Sequence, residues 1–95
     1  MKPKRGDVVD VVWRDSMRMP HGWDTAKRYR RGARVWPSCR TAGYLLDLTK
    51  DHVCVALSVD TGNGNASEAV TIPREAVVAI HTTQRSHKRV RWALR

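Results

Sequence analysis

Phenylalanine is absent from this chain, so any core must be built from branched aliphatics, four Trp and two Tyr. Acids are scarce: nine Asp and Glu stand against eighteen Lys and Arg, a formal charge of +9 over 95 residues. Such an excess disfavours basic partners and raises the local concentration of anions. Cysteine occurs twice, as Cys39 and Cys54, too seldom for a disulfide-stapled scaffold. No apolar run approaches the roughly 20 residues that a membrane span needs. Met1 to Arg5 is basic and lacks the apolar stretch of a secretory leader. The expectation is a cytoplasmic protein with reduced thiols and no membrane partner.

What is present is strand periodicity. His52 to Val59 alternates strictly, with Val53, Val55, Leu57 and Val59 on one face, the pattern of a half-buried strand. Before it, Arg40 to Leu48 places Ala42, Tyr44, Leu46 and Leu48 on one face, followed by the polar turn Thr49-Lys50-Asp51. That turn sets Cys54 opposite Asp47 and leaves Cys39 far along the neighbouring strand, too distant for a disulfide. After it, Asp60 to Asn65 is rich in residues that tolerate positive φ, and the chain reverses. Glu68 to Ile72 returns, Pro73 ends it, and Val77 to His81 is a last strand. Asp7 to Trp13 supplies the first strand, with Val9, Val11 and Trp13 on one face.

These strands predict a mainly β domain over residues 7–81, with a basic lead at 1–6 and a basic C-terminal tail at 82–95. The expected core is Val9, Val11, Tyr44, Leu46, Val53, Val55, Leu57, Val70, Ile72 and Ile80. The first connection, residues 14–37, is too long to be idle in so small a domain. Within it a short helix is predicted at about 25–31, with Asp24 as cap, Gly32 as left-handed stop, and Ala26 and Tyr29 docking it on the sheet. The tail suits a strand through Val90, Trp92 and Leu94, or a helix through Val90 and Leu94.

Ile72-Pro73-Arg74-Glu75-Ala76-Val77 resembles the SH3-like barrels, in which an apolar residue and Pro open a single 3₁₀ turn before the final strand. The resemblance implies a five-stranded SH3-like small barrel, and it is architectural. The Ala-Leu-Tyr-Asp-Tyr segment and acidic loop of SH3 peptide-binding domains are replaced by Val12-Trp13-Arg14-Asp15 and a basic loop. The RNA-binding motif of Sm-like barrels is replaced by Val78-Ala79-Ile80-His81. Val12 to Ser16, Gly22-Trp23, Cys39 to Leu45 and Ile72-Pro73 also resemble small bacteriophage and prophage proteins. Such proteins bind nucleic acid, host proteins or defence-signalling nucleotides.

Catalytic and metal motifs are weak. Asp15, Ser16, His21 and Asp24 lie close in sequence without a nucleophile elbow, and read as loop-closing residues. His52, Cys54, Cys39 and His81 lack the paired spacing of a zinc site. The stronger signal is charge clustering. No acid lies between Asp24 and Asp47, where Lys27, Arg28, Arg30, Arg31, Arg34 and Arg40 interleave with Tyr29 and Trp36. Arg forks match phosphates, and exposed aromatics stack on bases. Arg85, Lys88, Arg89 and Arg91 form a second basic group. The expectation is a non-catalytic protein without metal or cofactor. It would contact nucleic acid phosphates (DNA or RNA) through Lys27, Arg28, Arg30, Arg31, Arg34, Trp36 and Arg40, then through the second group. The alternative is an anti-defence protein that blocks a host factor or sequesters a nucleotide ligand, as a homo-oligomer where the pocket is composite.

Overall fold

Alternating Val residues make the strands, and turn residues set their ends. The computed structural model describes residues 2–16, 22–33 and 38–95. Five strands, β1 (Val8–Arg14), β2 (Ser38–Leu48), β3 (His52–Val59), β4 (Ala66–Pro73) and β5 (Val77–Gln84), form one antiparallel sheet in the order β4-β3-β2-β1-β5. Helix α1 (Ala26–Gly32) lies in the first long connection, and α2 (Lys88–Ala93) follows β5. Arg74–Ala76 is a 3₁₀ turn between β4 and β5, where Pro73 was expected to open one. Among the described residues β4 and β5 are the two edges of the sheet, and no ladder joins them.

The core is Val9, Val11, Leu45, Val53, Val55 and Ile72, each at most 1% exposed, with Trp13, Leu48, Ala76, Val77 and Ile80 against it. Each buried aliphatic of this size contributes about 1.5–3 kcal/mol. Tyr44, Leu46, Leu57 and Val70 are corrections to the expected core. Leu45 pairs with Val55 but Asp47 with Cys54, so Leu46 is the extra residue of a β-bulge. The bulge inverts the alternation of β2, turning Leu45 and Leu48 inward in place of Tyr44 and Leu46. Leu57 lies past Tyr44↔Ala56, the last β2–β3 pair, where β3 is paired only with β4; it is 63% exposed. Val70 faces Val55 from the edge strand and is half-open to water.

The turns follow the sequence closely. Thr49 Oγ1 accepts from the backbone N–H groups of Asp51 and His52, both at 3.1 Å. Arg74 ties the 3₁₀ turn to this hairpin by donating to the Thr49 carbonyl at 3.0 Å. At the β3–β4 turn, Asp60 Oδ1 accepts from Gly62 N at 2.8 Å, and Gly64 adopts φ 78°.

The chain after β5 is a docked helix. Val90 is buried, and α2 rests on two glycines, one where a Cβ would be crowded and one where it would not fit. At Gly6 (φ 92°) a Cβ would lie 3.1 Å from Ser86 Cβ and 3.2 Å from Val90 Cγ1. At Gly64 it would overlap the Ala93 carbonyl oxygen. Asp7, only 2% exposed, holds the junction: its carboxylate accepts from Ser86 N at 2.8 Å and Lys4 N at 2.9 Å.

Helix α1 differs from expectation in its attachments. Thr25, rather than Asp24, is the N-cap, with Oγ1 accepting from Arg28 N at 3.2 Å. Gly32 is helical, and Ala33 closes the helix in the right-handed region. No residue of α1 is buried, and the Tyr29 hydroxyl donates to the Gly22 carbonyl of its own segment.

Candidate functional site

Lys27, Arg28, Arg30 and Arg31 are brought together on α1, all exposed. The helix carrying them is too short to stand by propensity alone, and side chains of its own segment hold it. Asp24 Oδ1 accepts from Thr25 N at 2.7 Å, and Asp24 Oδ2 meets Arg28 Nη1 at 3.3 Å, an i,i+4 ion pair. Lys27, Arg30 and Arg31 have no acidic partner among the described residues. Arg34, Trp36 and His21 lie outside the described residues.

Arg40 stands apart from this group. It sits opposite Val12 on β2 and is bonded to Asp10 on the adjacent strand, through Nη2 and through Nε at 3.4 Å. That hydrogen bond holds the Asp10 carboxyl below the usual carboxylate range, and His81, its cross-strand partner on β5, adds to the effect. The same bond raises the Arg40 guanidinium above its ordinary value. A phosphate approaching Arg40 must compete with a carboxylate already in place. A second pair lies at the β2–β3 turn, where His52 Nε2 is 2.8 Å from Asp47 Oδ2. This contact, with Arg5 nearby, lowers the Asp47 carboxyl.

The second basic group divides. Arg85 lies in the connection after β5, while Lys88, Arg89 and Arg91 are exposed on α2. The His87 ring caps α2, Nδ1 accepting from Arg89 N at 3.2 Å. Arg95 lies 4.2 Å above the Trp92 ring, a cation–π contact. Helix α2 abuts the start of β1 at Gly6, whereas α1 belongs to the β1–β2 connection, so the two groups sit on different segments of the fold.

The clefts run elsewhere. One of about 630 Å³ is lined by Arg14, Pro73, Glu75, Ala76, Val77 and Val78. Another of about 450 Å³ shares Val77 and Val78 and reaches Lys2, Leu48 and Arg74. Both follow the edge strand β5. Among the described residues no group of three His, Cys, Asp or Glu side chains is placed to hold a metal ion. The two cysteines are free and half-buried, with Cys54 opposite Asp47 and Cys39 opposite Trp13. No helix among the described residues is long and apolar enough to cross a membrane.

Two residues at these surfaces escaped sequence reasoning. Asp10 carried no sequence signal of its own, and its pairing with Arg40 is visible only in the register. Trp23, not among the expected contact residues, is 103% exposed. The one available signal was its place after Gly22, outside the helical period. Compared with protein-family models, with curated proteins and with solved structures, the chain has no match in any of the three.

Proposed function

We propose that this chain is a small cytoplasmic binding protein, without catalytic activity, that holds nucleic acid through its phosphates with little base specificity. The observation that carries this reading is α1: exposed cations, three of them without an acidic partner among the described residues, on a helix that no buried contact occupies. Coulomb attraction to closely spaced phosphates needs no more elaborate site. The cations of α2 add a weaker contact. Its scaffold is read as an SH3-like barrel type, supported by the sheet order, the long β1–β2 connection and the 3₁₀ turn after Pro73.

Lys27 and Arg31 lie one turn apart on the same face. Replacing both with Glu (Lys27→Glu, Arg31→Glu) leaves the unfolding midpoint unchanged, because neither packs on the sheet. Fluorescence anisotropy with a labelled oligonucleotide at low salt shows at least a ten-fold weaker Kd, and the salt slope becomes shallower by about 1 for each lost contact. A double variant that binds as tightly as the unaltered chain removes α1 from the function.

A further inference from the structure

Resting on the phosphate-binding reading above, we infer that Trp23 is a base-stacking platform, and that the ligand is single-stranded nucleic acid with unpaired bases. The described tryptophans differ sharply in what they touch. Trp13 is half-buried and donates its Nε1–H to Thr41 Oγ1 at 2.9 Å, and Trp92 is 60% exposed with Arg95 stacked over its ring. Trp23 offers its whole indole to water.

It does so from an anchored position. Gly22, at φ 62°, accepts from the Tyr29 hydroxyl, and Asp24 is bonded to Thr25 N and Arg28. The residues on either side of Trp23 are therefore held, and little backbone freedom is lost when a ligand binds. Beside the indole is an open hollow of about 520 Å³, lined by Gly22, Trp23, Asp24, Ala26 and Tyr29. The Asp24 carboxylate within it is already paired with Arg28, which blunts its repulsion of phosphate. Arg30 lies one turn beyond Ala26 on the same helix face. An exposed indole followed by a helix rich in cations matches a base and the backbone phosphates next to it.

Other occupants fit less well. A duplex keeps its base faces stacked inside, whereas a single strand displays them. A helix lying on a membrane surface needs a broad apolar face; α1 has Ala26 and Tyr29. A second copy of the chain would bring a charge of +9 against +9.

The test uses the full chain, its Trp23→Ala and Trp23→Phe variants, and four probes at low salt. These are oligothymidine, an abasic strand of equal length, a duplex, and phosphatidylserine-containing vesicles. The expected result is that the unaltered chain prefers oligothymidine to the abasic strand. Trp23→Ala should weaken oligothymidine binding about ten-fold without changing abasic or duplex binding or the unfolding midpoint. Trp23→Phe should keep most of the affinity. Three results overturn the inference alone: Trp23→Ala leaves oligothymidine binding unchanged, weakens the abasic strand equally, or loses vesicle binding instead. If the unaltered chain binds neither strand nor duplex, the phosphate reading fails as well.

Discussion

Removing the Asp7 carboxylate should loosen both ends of the chain together. Asp7 is 2% exposed and accepts from Lys4 N and Ser86 N at 2.9 and 2.8 Å. A hydrogen bond to a charged group contributes about 1.5–3 kcal/mol net. Lys4 is exposed and can turn to water, so its share lies at the low end; Ser86 is half-buried, and its N–H would be left unsatisfied. Removing a buried carboxylate also recovers some desolvation cost. The balance for Asp7→Ala is a loss of about 2–4 kcal/mol, which lowers the midpoint of a domain this small by more than about 8 °C. Asp7→Asn should fall between, since its amide accepts through one oxygen and presents a donor to the other N–H. Urea unfolding gives the energy, and limited trypsin digestion gives the location. Cleavage after Arg85, Lys88, Arg89 and Arg91 should accelerate before the sheet is cut, because Ser86 leads into α2. Unchanged stability together with unchanged cleavage would refute the clamp.

Further outcomes follow from packing and titration. Leu45→Ala should cost about 2–5 kcal/mol and Leu57→Ala under about 1 kcal/mol, read from urea midpoints; equal costs would contradict the bulge-shifted core. Gly64→Ala places a Cβ on the Ala93 carbonyl and strains a φ of 78°, for a loss of about 1–3 kcal/mol, with α2 more open to hydrogen exchange. Asp10 and Asp47 both have carboxyls held below their ordinary value of 3.8. Their ionised forms therefore stabilise the fold above that value, and the contribution fades as pH falls through the lower folded values. Acid titration followed by circular dichroism should show a shallower decline for Asp10→Asn, and superimposable curves would remove this pair from the acid response.

The strands were legible because Val53, Val55, Val9 and Val11 follow the two-residue period that a buried face imposes. The end of β4 was legible because Pro73 cannot donate to a ladder, and the 3₁₀ turn after it only through the resemblance to SH3-like barrels. The bulge was not: Tyr44, Leu45 and Leu46 offer apolar side chains in either register, and only pairing with β3 decides which point inward. Helix α2 owes its place to Gly6, Gly64 and Asp7, which are remote in sequence and silent about a partner. At the candidate site the charge of α1 could be read directly, since four cations close in sequence remain close on a short helix. The pairing of Arg40 with Asp10 crosses two strands and could not. The exposure of Trp23 could not be read either, since an indole beside a helix usually packs.

The most direct measurement is the salt dependence of oligonucleotide affinity. Each phosphate neutralised releases condensed counterions, giving a log–log slope of about −0.7 per contact on a single strand and about −0.9 on a duplex. With Lys27, Arg30 and Arg31, the cations without an acidic partner, each covering one phosphate, the slopes should be about −2 and about −2.7 respectively. Anisotropy titrations between low and physiological salt, with single-stranded and duplex forms of one mixed sequence, measure both. Slopes of this size support binding through phosphates. Affinity that stays flat across the series, or no binding at the lowest salt, would contradict it.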